Sequence, residues 1–308
     1  MSLRSPFSIA LLVATFALLT GCSDAPADAD SESGKLVVVC TTTMIADMAR
    51  HIAGEHAEVV SIMRTGEDPH VYEVRPRDAQ AVKSADLVLF NGLHLEATLL
   101  NIIEDADTTT VALAESDGIT VLQDAAGNSG GAVDPHCWMN VTYFKVYASA
   151  ARDAMVNVDP DNADTYRKNA EHYLAKLDEL HAWALEKVEE VPRAQRVMIT
   201  SHDAFRYLGD AYGIDVHAII GISTEQDPRP QDIEKLIRIV RDNNVKALFI
   251  ETSVKNTLND MVRKVADATG ATIGGTLYSD SLGEPESDAG TYISMMRHNI
   301  STIIDALK

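Results

Sequence analysis

The sequence predicts an α/β chain of two lobes, each a parallel-type sheet flanked by helices, joined by one long rigid helix. Three observations predict it. From residue 35 onward, short β-branched runs alternate with helical patterns, the signature of βαβ units with a sheet covered on both faces. A helical pattern of almost thirty residues then occupies the middle of the chain, on the order of 40–45 Å at 1.5 Å per residue, which is longer than one lobe needs. After Pro192 the strand–helix alternation starts again.

In order along the chain, residues 36–41 (LVVVCT) read as a buried strand and 45–53 as the helix after it. Residues 57–63 and 86–91 repeat the strand signal, with a helix over 76–84 between them. Helical patterns follow over 141–156 and 163–191, separated by Asp159-Pro160, with Asp161 or Asn162 as a cap. In the last third, strands are expected at 196–200, 216–220, 246–251 and 271–277, with helices between them and a final helix over 289–307. The domains expected are 35–160 for the first lobe, 161–191 for the connecting helix and 192–308 for the second lobe. A single larger sheet with one long crossover helix is the competing arrangement.

The first residues carry an address. Arg4 precedes an almost unbroken apolar run over 7–19, too short to span a bilayer comfortably, which ends in Leu19-Thr20-Gly21-Cys22. Residues 1–21 read as a lipoprotein signal and Cys22 as the acylated new N-terminus, since small residues before a cysteine resemble the bacterial lipobox. Residues 22–34 are small and acidic and read as a flexible tether. The expected location is outside the cytoplasm, anchored to a membrane by lipid. A formal net charge of −20 excludes a phosphate-binding basic face, so no nucleic-acid partner is expected. Three cysteines supply neither a disulfide scaffold nor a thiolate zinc cluster.

Ligands in open parallel sheets bind beyond the carboxyl ends of the strands. That rule selects His70 in the turn-rich loop after 57–63, His202 after 196–200 and Asp280 after 271–277; a second first-lobe loop offers His136 in Asp134-Pro135-His136. Three imidazoles and a carboxylate suit Zn²⁺; Mn²⁺ is the other candidate if the carboxylate binds through both oxygens. His51, His56, His172, His181 and His298 lie in or beside helical patterns and His217 inside a strand, positions that suit packing or surface roles. His94, beyond a strand end, competes for a place near the cleft, and His94, Glu225 and Glu251 are candidates to support the ligands.

The motifs Thr41-Thr42-Thr43-Met44-Ile45-Ala46-Asp47, Asp68-Pro69-His70-Val71-Tyr72-Glu73, Asn91-Gly92-Leu93-His94-Leu95-Glu96 and Asp134-Pro135-His136-Cys137-Trp138-Met139 occur in that order. Ser201-His202-Asp203-Ala204-Phe205, Gly221-Ile222-Ser223-Thr224-Glu225 and Tyr278-Ser279-Asp280-Ser281-Leu282-Gly283 follow. The set resembles the solute-binding lipoproteins of bacterial zinc/manganese ABC transporters, solute-binding protein family 9. The resemblance implies one divalent transition metal ion, Zn²⁺ or Mn²⁺, held as cargo by His70, His136, His202 and Asp280. It also implies delivery to a permease powered by a cytoplasmic ATPase, by a monomer that is not an enzyme.

Residues 114–133 contain no histidine, whereas members resembling dedicated zinc importers often carry a histidine-rich loop there; members resembling manganese or iron carriers often have Glu where this chain has His202. The chain therefore resembles the mixed branch. Cys40 and Cys137 could pair in an oxidising compartment, or act as two buried thiols, the reading the sequence favours. The alternative functions are a secreted zinc hydrolase with Glu225 or Glu251 as base, and a lipoprotein with an adhesive role. The hydrolase has no His-Glu-x-x-His or Gly-x-Ser-x-Gly motif behind it.

Overall fold

Strand β1 (Leu36–Cys40) lies between β2 (Ala57–Ser61) and β3 (Leu87–Phe90), and its apolar side chains point into packed layers on both faces. The computed structural model describes residues 34–123 and 133–308; the signal, Cys22, nearly all of the tether and part of 114–133 lie outside the described residues. With β4 (Thr109–Ala112) the first-lobe sheet has the order β2-β1-β3-β4, all parallel. Strand β4 is the one element of this sheet that the sequence reading missed. It is short, and Thr109 and Thr110 are exposed at the sheet edge, so it carries little apolar signal.

Helix α1 (Thr43–Ala53) starts where the Thr42 side chain accepts from the Ile45 N–H and ends at Gly54, whose φ of 58° few other residues tolerate. Helices α2 (Pro76–Lys83) and α3 (Leu100–Glu104) complete the first crossovers, and α4 (Val141–Val158) packs along α5 (Ala163–Val188). The break at Asp159-Pro160 falls where expected, while α5 ends three residues earlier than the pattern suggested.

Along α5 the buried side chains are Ala163, Tyr166, Ala170, Tyr173, Leu177, Leu180, Ala184 and Val188, a stripe with steps of three and four residues. That stripe packs on α1 and α4 of the first lobe and then on α6 (Arg206–Tyr212) and α9 (Tyr292–Leu307) of the second. One hydrophobic core therefore runs through both lobes along the helix.

In the second lobe β5 (Val197–Thr200) pairs in parallel with β6 (Asp215–Ala218), and β7 (Ala247–Glu251) with β8 (Thr272–Leu277). Helices α7 (Pro230–Asp242) and α8 (Asn256–Thr269) close the outer face around a separate small core with Leu236, Val240, Leu248 and Val262. Strands β5 and β7 lie side by side, yet the described residues form two parallel pairs rather than one continuous ladder. Glu251, at the end of β7, reaches across and accepts from the Ser201 N–H just past β5. The pairing of β7 with β8 shifts register at Gly274, where a Cβ would come within 2.7 Å of both Phe249 and Ala306. Cys40 and Cys137 are both buried and unpaired, and burial pushes each thiol up to about 12.

Candidate metal centre

All four strand-end candidates converge. One ligand atom each from His70, His136, His202 and Asp280 lie within 4.8 Å of one another. His70 comes from the short 3-10 turn Pro69–Val71 beyond β2, and His136 from the loop before α4; His202 and Asp280 follow β5 and β8. Two first-lobe and two second-lobe residues thus meet between the lobes.

The Asp-Pro-His tripeptides explain how the first lobe presents its rings. Asp68 Oδ1 accepts the His70 N–H at 2.9 Å, and Asp134 Oδ1 accepts the His136 N–H at 3.0 Å. Each aspartate closes the turn two residues ahead of it, and proline at the middle position fixes φ. Asp134 Oδ1 also lies 2.8 Å from His136 Nδ1, which places the ring proton there and leaves Nε2 as the donor to a cation. On the other side Glu251 Oε2 sits 2.7 Å from His202 Nδ1, an ion-pair contact off the line of a straight hydrogen bond.

The inward atoms sit at metal-ligand spacing. His70 Nε2 is 3.2 Å from His136 Nε2, His136 Nε2 is 3.5 Å from Asp280 Oδ1, and His202 Nε2 is 3.2 Å from Asp280 Oδ2. A tetrahedral zinc ion with bonds of about 2.0–2.1 Å has ligand–ligand edges of roughly 3.3–3.4 Å, close to these three distances, and the whole set stays within 4.8 Å. His202 Nε2 and Asp280 Oδ1 are buried with no hydrogen-bond partner in the protein, a situation that a cation among them resolves. Ser253 and Ser279 donate to the other Asp280 oxygen at 3.2 Å each, which leaves Oδ1 as the better-aimed ligand.

Electrostatics favour a cation as well. Asp134, Glu251 and Asp280 are buried together, and the described arginine near them, Arg206, stands 3.7 Å from Asp134. Burial drives His70 down to about 3, so its ring is neutral and ready to ligate. At His136 burial also opposes charge, but the Asp134 and Asp280 carboxylates outweigh it and lift the ring to about 9. His202 follows the same pattern through Glu251 and Asp280 and is raised well above its ordinary value. Burial would raise Asp280, yet His202 and His136 hold it well below the usual carboxylate range. Without metal, protons on these two rings take the place of the ion's charge.

Of the three supporting candidates, Glu251 is buried against a ligand, whereas His94 and Glu225 are exposed; His94 adopts a positive φ of 62° in its turn. The sequence reading assigned no role to Asp68, Asp134 or Trp138. Trp138 Nε1 donates to the Ser279 carbonyl at 3.0 Å and so ties the His136 loop to the residue before Asp280. The repeat of aspartate two residues before histidine was the available signal for the two acids.

Fold and site together define a bilobed protein that holds one divalent transition metal ion between lobes fixed to a common helix. The chain belongs to the family described as ZnuA, zinc-uptake complex component A, periplasmic, whose model matches residues 38–306. It is 37% identical to the manganese-binding lipoprotein MntA of Bacillus subtilis (strain 168), over 99% of this chain and 100% of that protein. Identity to the manganese ABC transporter substrate-binding lipoprotein ScaA of Streptococcus gordonii is 33%, over 97% of each chain. The solved periplasmic zinc-binding protein TroA from Treponema pallidum superposes with a TM-score of 0.83 at 33% identity, over 89% of this chain and 99% of that one. A manganese-bound periplasmic metal-binding protein from Candidatus Liberibacter asiaticus, solved as a point mutant, gives 0.82 at 29% identity, over 89% and 100%.

Proposed function

We propose that this chain is the extracytoplasmic solute-binding component of an ABC importer, which captures one Zn²⁺ or Mn²⁺ ion between its lobes and hands it to a membrane permease driven by a cytoplasmic ATPase. The observation that carries this reading is the convergence of four buried donors, two from each lobe, within 4.8 Å of one another. Four protein ligands close the coordination shell, whereas a catalytic zinc site keeps a position open for water. Membership of a transport family agrees with a carrier rather than a catalyst.

The donor set supports both ions. Three imidazoles favour zinc, which stands above manganese in the affinity order. Asp280 turns one oxygen toward His136 and the other toward His202, so a larger ion can draw on both. Zinc is the tighter ligand in this reading, and availability decides which ion is carried. Residues 1–21 are removed on export, Cys22 is acylated and 22–34 tether a monomeric carrier to the membrane; the relatives MntA and ScaA are themselves called lipoproteins. The divisions 35–160, 161–191 and 192–308 serve as the first ligand-bearing lobe, the connecting helix and the second.

Metal analysis of protein purified without added metal, followed by competition between Zn²⁺ and Mn²⁺ against a chelator, tests the reading. One ion per chain and tighter zinc are expected. No uptake of either ion at micromolar concentration sinks it.

A further inference from the structure

The two first-lobe ligands are attached to the second lobe in different ways. The His136 loop is bound at several points: Trp138 donates to the Ser279 carbonyl, the Tyr292 hydroxyl donates to the Trp138 carbonyl at 2.6 Å, and the Tyr207 hydroxyl donates to the Asp134 carbonyl at 2.8 Å. The turn that carries His70 is held across the cleft by two hydroxyls. Ser281 Oγ accepts the Gly66 N–H at 2.8 Å, and Thr224 Oγ1 donates to Asp68 Oδ2 at 2.6 Å. His70 is also the outermost ligand, 8% exposed, against 0% for His136 and His202 and 1% for Asp280. Of the four ligands, His70 is therefore the one nearest to solvent by exposure.

Thr224 occupies a distinctive place. Its loop, between β6 and α7, is tied at its base to the His202 segment, where the Gly221 carbonyl accepts the Asp203 N–H at 3.2 Å. Its buried tip reaches Asp68, whose other oxygen holds the His70 backbone. The loop therefore links a ligand segment of each lobe without offering a ligand itself. Beside the loop lies a groove of about 410 Å³, lined by Gly221, Gln226 and Asp227 of the loop and by Leu236 and Ile239 of α7.

We infer that Thr224 is a positioning residue for cation retention: its hydroxyl clasps the His70 turn to the second lobe through Asp68, and this bond breaks when the ion departs. The inference rests on the carrier reading above. A hydrogen bond from a neutral hydroxyl to the half-buried Asp68 carboxylate is among the stronger kinds, so its loss corresponds to about a tenfold change in rate or more.

The test compares Thr224→Val, which keeps the shape and removes the hydroxyl, with Thr224→Ser, which keeps the hydroxyl. Release of Mn²⁺ and Zn²⁺ is followed in stopped flow with excess chelator, on the full soluble chain. Thr224→Val is expected to release either ion about tenfold faster or more, with one ion still bound per chain, and Thr224→Ser to stay within about twofold of the parent. Thr224→Ala provides the same comparison should the valine variant fold poorly. Release at the parental rate from the variants lacking the hydroxyl overturns the clasp, as does equal acceleration by serine and valine. Failure of the parent chain to bind either ion overturns the carrier reading and the clasp together, and so differs from parental binding with unaltered release.

Discussion

Glu251 accepts from the backbone N–H groups of both Ser201 and His202 with one carboxylate oxygen, at 2.8 and 2.9 Å, and sets the other 2.7 Å from His202 Nδ1. One side chain thus closes the gap between two strand pairs and stands against the His202 nitrogen that faces away from Asp280. A carboxylate at Nδ1 favours the ring proton there once an ion has displaced the one on Nε2.

Glu251→Gln should weaken metal binding by about 10- to 100-fold, the usual cost of disturbing a group that orients a ligand. The amide oxygen can still accept from the two backbone N–H groups, but the amide N–H₂ then faces Nδ1 and favours the proton on Nε2, where the ion must sit. Chelator competition measures the affinity. An unchanged value removes the tautomer argument.

Metal uptake should release protons, and affinity should climb with pH. Below about 9 the metal-free His136 ring carries a proton, and His202, raised well above its ordinary value, carries one too. His70, lowered to about 3, is already neutral, and Asp280, held down by those rings, is already ionised. The ion must displace the protons on His136 and His202, so between one and about two protons leave per ion at pH 7. Log K then rises with pH by the same number per unit and flattens only as the two rings lose their protons on their own. Calorimetry in buffers of different ionisation enthalpy counts the protons; a count of zero contradicts the assigned charges.

The legible parts of this fold are those that leave a local trace. His202 and Asp280 stand within three residues of strand ends, so the rule for parallel sheets finds them from the sequence. The α5 stripe is visible because its apolar steps are local. What escaped depends on partners far apart in the chain or on weak edges. Thr224 and Asp68 are separated by 156 residues, and a threonine in a loop carries no sign of an acid across a cleft. Strand β4 is polar because it lies at an edge. The bridge from Glu251 to Ser201 between the two pairs of the second lobe joins residues 50 apart, and no periodicity encodes that.

Loading the site should stabilise the chain by mass action. At a thousand times Kd the gain is about 4 kcal/mol, or on the order of 8–16 °C in Tm for a chain of this size. His202→Ala should abolish most of that shift, since it removes one of the four grouped donors. Thermal unfolding with and without Zn²⁺ or Mn²⁺ reads it directly, and equal shifts in parent and variant would remove His202 from the ligand set.

The connecting helix predicts a separation of stability from binding. Leu177 is fully buried in the α5 stripe, in the core that both lobes share, and its side chain is remote in sequence from all four ligands. Leu177→Ala should cost about 2–5 kcal/mol through lost burial and the cavity left behind. The metal loops are held to each other by their own bonds, through Trp138 to Ser279 and Tyr207 to Asp134, so the folded fraction should keep its affinity within a few-fold. Denaturant unfolding gives the first quantity and chelator competition the second. A variant that unfolds as readily as the parent shows that the stripe contributes little; one that loses affinity by orders of magnitude while folded shows that the helix, rather than the loop contacts, sets the ligand geometry.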